Sequence, residues 1–193
     1  MVDFPPLMPS ARWFSRFLHS GSQGFSLIEA FEVANETVES PREFGRYSLV
    51  TSGGPIVTLP IAVKGGGRQL RDFGSISRLQ LSEHGNWRKT HLGAIEANMG
   101  RAPFYRNLEP ALSRVYRDTS LSSLRDFNLA IFRTLLSFLL GDISFEELNQ
   151  FYGNPVLKTR GEEIAECIIP EHSILPALAT YGRETLLGLL ARP

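Results

Sequence analysis

The stretch Ile56-Val57-Thr58-Leu59-Pro60-Ile61-Ala62-Val63 decides the fold class of this chain. Its β-branched residues suit a pleated, half-buried strand better than a helix. Upstream, Ser52-Gly53-Gly54 separates it from a second run of the same character, residues 46–51 (RYSLVT). Glycines between two such runs signal a hairpin, so residues 46–51 and 55–63 are expected to pair. Pro60 has no N–H to give a ladder, which places it at an edge or a bulge. Residues 76–81 read as another strand, offering Ile76, Leu79 and Leu81 for burial. Residues 25–38 fit neither period cleanly and lean toward a strand near 28–33.

Beyond this point the apolar period becomes helical. In residues 87–99, Trp87, His91, Ile95 and either Asn98 or Met99 share one stripe, with Asn86 as a candidate cap and Gly100 as the stop. A second helix is expected over 105–116 with Leu108, Leu112, Val115 and Tyr116 inward, and a third, the longest, from near Ser120 to Gly141. Ser144 and Glu147 have capping-box spacing for a short helix, and a last helix is expected over 175–190. At the N-terminus, Ser10 follows three prolines and can cap a short helix carrying Trp13, Phe14, Phe17 and Leu18. The expectation is an α+β fold, a small mixed or antiparallel β-sheet from the N-terminal half packed against a helical C-terminal half. The 193 residues read as a single domain, with a core over about 4–141 and a helical extension over 142–193.

Composition narrows the function classes. Lys plus Arg and Asp plus Glu number 20 each, which argues against a basic nucleic-acid binder. One cysteine, Cys167, excludes an internal disulfide and any CxxC metal site, and its setting IAECIIP reads as buried packing. The richest apolar stretch, 129–140, is broken by Arg133, Thr134 and Ser137 and falls short of the ~20 residues that span a bilayer. The opening has no basic region leading into an apolar run, so no secretory leader is expected and the location expected is cytoplasmic.

No HExxH, Walker-type loop, GxSxG or dinucleotide fingerprint occurs, and no motif names a cofactor. Lys64-Gly-Gly-Gly-Arg68 is the nearest thing to an anion cradle, though it leads into more loop rather than a helix. His19, His84, His91 and His172 lack ligand spacing, so no metal site is expected. His91 lies one turn after Trp87, where an imidazole can serve as acid or base. A half-buried histidine bonded to a backbone carbonyl satisfies the same spacing. Asp126 and Asn128 are poor interior helix formers and, two residues apart, point roughly 200° from each other, so one can face the core and the other water. Trp13, beside the rigid prolines, can rim a pocket or seal one end of the sheet.

Several of these features occur in an order that resembles the WbqC-like family of bacterial proteins. Pro5 to Pro9 and Trp13-Phe14 match its opening, Arg46 before Tyr47-Ser-Leu-Val its Arg-led strand, and Leu59-Pro60-Ile61 its apolar-Pro-apolar unit. Ile76, Trp87-x-x-x-His91, Ala94-Ile95, Ala102-Pro103-Phe104-Tyr105 and Leu124-x-Asp126-Phe127-Asn128 follow in register. The chain departs at Gly45, where Asn is common, and at Met99, where Tyr is frequent. The resemblance implies a setting in surface-polysaccharide (O-antigen) or related biosynthesis. The polar set Arg46, His91, Asp126 and Asn128, spread over elements that must pack together, adds the expectation of a transferase-type enzyme acting on a nucleotide-linked sugar or other activated small molecule. Arg46 would then hold an anion, His91 act as acid or base oriented by Asp126 or Asn128, and Trp87 and Trp13 wall the substrate. The rival is a non-catalytic binding or assembly protein of a polysaccharide operon, in which the same residues are structural.

Overall fold

The computed structural model of the chain describes residues 4–20, 44–50, 56–66, 68, 76–143 and 154–191. The hairpin strands β1 (Arg46–Val50) and β2 (Ile56–Pro60) form an antiparallel pair in which Arg46 faces Pro60, Tyr47 faces Leu59 and Leu49 faces Val57. Strand alternation sends Tyr47, Leu49 and Leu59 into the core and leaves Arg46 and Pro60 exposed. The connecting residues 51–55 lie outside the described residues, as do the expected strand near 28–33 and the capping box at 144–147.

Residues 76–81 do not form the expected strand. Rather than a strand, Ile76–Arg78 is a 3₁₀ turn closed by the Leu79 N–H on the Ile76 carbonyl at 3.2 Å. Only isolated bridges follow, Gln80 to Ser123 and Leu81 to Val63. The turn buries Ile76, Leu79 and Leu81 together, which a straight strand with alternating faces cannot do.

Ser10 caps α1 (Ala11–His19) by accepting the Trp13 N–H at 3.2 Å. Helix α2 (Trp87–Met99) has the expected bounds, but Asn86 enters it in a left-handed conformation, φ 49, without a side-chain cap. Helix α3 (Tyr105–Arg117) follows. Helix α4 (Leu124–Leu140) begins later than Ser120, because Ser123 accepts the Asp126 N–H at 3.0 Å while Ser120 is bound to Asp118. Asn154 caps α5 (Pro155–Cys167). The expected helix over 175–190 is two, α6 (Leu175–Tyr181) and α7 (Thr185–Leu190), joined by the 3₁₀ turn Gly182–Glu184. Gly182 has φ 55, and a Cβ there would stand 2.8 Å from the Phe104 ring.

Helix α4 runs through the centre, with Phe127, Ile131, Phe132, Leu135 and Leu139 fully buried. Helices α5 and α7 cross closely at two glycines; a Cβ on Gly188 would lie 2.7 Å from Ile164, and one on Gly161 2.7 Å from the Leu187 carbonyl. Buried side chains from Phe4 to Leu190 form one hydrophobic cluster, so the helices beyond 142 share the core of the strands. Among the described residues no helix is long and apolar enough to cross a membrane.

Candidate functional site

The first half of α2 packs onto the strand pair and builds a closed polar cluster. His91 is 1% exposed, and its ring sits edge-on to Trp87, Tyr47 and Tyr116 at centroid distances of 5.2, 5.4 and 5.7 Å. Nε2 lies 3.0 Å from the Pro60 carbonyl, which can only accept, so Nε2 carries the proton. Nδ1 faces the Tyr116 hydroxyl at 3.3 Å, and that hydroxyl lies 3.4 Å from the hydroxyl of Tyr47. Burial lowers the imidazole pKa to about 4, outweighing the bond to Pro60, so the ring is neutral near pH 7. Burial likewise pushes the Tyr47 and Tyr116 phenols up. The cluster is neutral and buried, and its polar atoms face one another or the protein backbone. It fixes β2 to α2 and α3.

The residues expected to join His91 divide. Trp87 does join it: the indole donates to the Ser82 carbonyl at 2.7 Å and packs edge-on to Phe127. Arg46 precedes Tyr47 on β1 and faces solvent on the opposite side of the strand pair from the imidazole. Asp126 and Asn128 diverge around α4 as their spacing requires. The Asp126 side chain is 51% exposed and pairs with Arg125 at 3.3 Å. Asn128 is fully buried and donates to the Phe44 carbonyl at 3.0 Å, while its Oδ1 has no partner among the described residues. Trp13 packs elsewhere, stacked on Phe17 at 5.5 Å and edge-on to Phe132 at 5.3 Å.

Sequence reasoning missed Arg88, which is 8% exposed and holds this end of the molecule together. Its guanidinium reaches Glu83 at 3.1 Å, the carbonyls of Tyr116 and Asp118 at 3.3 Å and that of Leu121 at 3.2 Å, and it lies 4.7 Å from the Trp87 ring centroid. These bonds stitch α2 to the chain between α3 and α4. The glycine loop after β2 is less open to anions than its composition suggests. Its Lys64 and Gly66 N–H groups are already given to the Gln80 and Val63 carbonyls, at 2.9 and 3.0 Å.

The other end of α2 opens onto a cleft of about 830 Å³, bounded by the chain after α2, the end of α5 and helix α6. Asn98, Arg101, Cys167, His172, Thr180 and Tyr181 contribute its polar lining. Each wall is pinned by backbone hydrogen bonds. Phe104 N–H donates to the Ala179 carbonyl at 2.9 Å, Ala11 to His172 at 3.1 Å, Arg12 to Pro170 at 2.9 Å and Ile174 to Pro9 at 3.1 Å. Cys167, expected in the core, is exposed here. Helix α5 ends at Cys167, and Ile168 takes the inward position, 5% exposed. The Tyr181 hydroxyl bonds Cys167, which together with partial burial raises the phenol pKa. Among the described residues no group of three His, Cys, Asp or Glu gathers to hold a metal ion.

The family model of the WbqC-like protein family matches residues 44–166, and the chain belongs to that family. No curated protein and no solved structure matches it. The matched span includes β1, β2, the His91 cluster and α4, and it carries one wall of the cleft, at the end of α2, but stops one residue short of Cys167.

Proposed function

We propose that this WbqC-like protein is a transferase-type enzyme that acts on a nucleotide-linked sugar or another activated small molecule, in surface-polysaccharide or related biosynthesis in the cytoplasm. The cleft between α2, α5 and α6 carries this reading. At about 830 Å³ it is within the range of small-molecule sites, and a few polar side chains converge in it from rigid walls. Family membership supports the link to polysaccharide chemistry. The acid–base role expected for His91, with Asp126 as orienter and Arg46, Trp87, Asn128 and Trp13 on the substrate, draws less support from the geometry. For proton transfer the imidazole would have to leave the Pro60 carbonyl and meet solvent, and the Arg46 guanidinium faces away from it.

The closed state of His91 favours one alternative, a non-catalytic binding or assembly protein with the same cleft. A thermal-shift screen against nucleotides, nucleotide sugars and acyl or aminoacyl donors tests the shared premise, because a ligand of the native state raises apparent stability. A donor that raises Tm and is turned over with an acceptor supports the transferase. Binding without turnover supports the alternative. No shift from any of these classes contradicts both.

A further inference from the structure

We infer that the cleft is an anion-recognising site in which Arg101 grips a phosphate or carboxylate of the bound molecule. The inference rests on reading the cleft as a ligand site but on no transfer chemistry. Its first support is the state of Arg101. Arg101 is exposed and, like Arg106 and Arg114, has no carboxylate partner among the described residues, but of these three only Arg101 lines the cleft. Its backbone is nonetheless held, by Gly100 N–H on the Glu96 carbonyl at 2.7 Å and Ala102 N–H on the Met99 carbonyl at 2.8 Å. A fixed backbone with an uncommitted guanidinium is a fork ready for an oxyanion.

The second support is the charge of the walls. No Asp or Glu lines the cleft. The acidic neighbours in sequence are directed elsewhere. Glu171, beside His172, is paired with Arg12, and Glu96, on the last turns of α2, is exposed and outside the lining. Glu166, beside Cys167, is exposed and outside the lining. A concavity with one cation and no anion favours negatively charged ligands. The third support is spare hydrogen-bonding capacity. The His172 imidazole and the Thr180 hydroxyl have no protein partner among the described residues, so both can serve the ligand beside Arg101. At the opposite end of α2, Arg88 and His91 have spent that capacity on protein carbonyls, carboxylates and hydroxyls.

The chain carries its own reporter, because Cys167 is its only cysteine and is exposed in the same cleft. Alkylation of the full chain by iodoacetamide, followed by intact mass, should slow about tenfold or more when an anion occupies the site at 100 times its Kd. The probes are inorganic pyrophosphate, uridine diphosphate, citrate and uncharged uridine; whether the phosphates or citrate protect identifies the anion, and uridine should not protect. Arg101→Ala should weaken protection roughly ten- to hundredfold in apparent affinity without changing the apo Tm. Arg106→Ala, which removes an exposed cation outside the lining, should leave protection intact. Protection by no anion, equal protection in Arg101→Ala, or equal loss in Arg106→Ala would overturn the inference. Protection without turnover removes only the transferase reading, and turnover of an uncharged donor without anion protection removes only this one.

Discussion

The two ends of helix α2 treat polarity in opposite ways. At its start, Trp87, Arg88 and His91 give their polar hydrogens to carbonyls and carboxylates of the protein itself. Past its end, Arg101, His172 and Thr180 line one cleft, and none of the three side chains has a protein partner among the described residues. A polar group satisfied inside the fold has its energy built into folding, and what is left open is available to a ligand. The difference separates a scaffold from a candidate site more sharply than residue type does, since both ends carry an arginine and a histidine.

The buried end of α2 is the more sensitive of the two to substitution. Arg88→Ala strips the carbonyls of Tyr116, Asp118 and Leu121 of their donor and leaves a void beside Trp87. A loss of about 3–5 kcal/mol in urea unfolding is expected. A loss under 1 kcal/mol would mean the clamp is ornamental.

The next effect is pH dependence. The His91 pKa falls from 6.5 to about 4 in the folded chain, so the unfolded state binds the proton first as pH drops. Stability from this group is complete above pH 6.5 and is lost between there and about pH 4, to a total of about 3 kcal/mol. His91→Phe should flatten that part of the profile, and an unchanged slope would show that other groups cause it. Gly188→Ala probes the crossing of α5 and α7, where the new methyl would meet Ile164; a cost of about 1–3 kcal/mol is expected from urea unfolding. The smallest effect belongs to Arg46→Ala, which removes an exposed side chain and should move stability by no more than about 0.5 kcal/mol. If it also abolishes turnover of a donor found in the screen, the strand pair belongs to the site after all.

Much of the scaffold was legible because local rules and tertiary packing agree there. Gly100 and the three-and-four spacing bounded α2, and the glycines before Pro55 announced the antiparallel pair. The divergence of Asp126 and Asn128 followed from helical geometry alone. Residues 76–81 failed because three apolar residues at mixed spacing suit a turn as well as a strand. Arg88 stayed hidden because a lone arginine beside a lysine reads as solvated surface. Cys167 misled because its apolar neighbours suggest burial, while its orientation depends on where α5 stops. The cleft could not be read at all. Its walls come from the chain near 97–102, 167–173 and 176–181, brought together by bonds such as Phe104 to Ala179 that carry no local signature.

The contrast between the two ends of α2 is tested most directly by the thermal shift that the protecting anion produces at pH 7 in the wild type, His91→Gln and Arg101→Ala. His91→Gln should melt lower without ligand yet keep the full ligand-induced shift, whereas Arg101→Ala should melt like the wild type and lose it. The reverse, with the shift lost in His91→Gln and kept in Arg101→Ala, would contradict the assignment of scaffold and site.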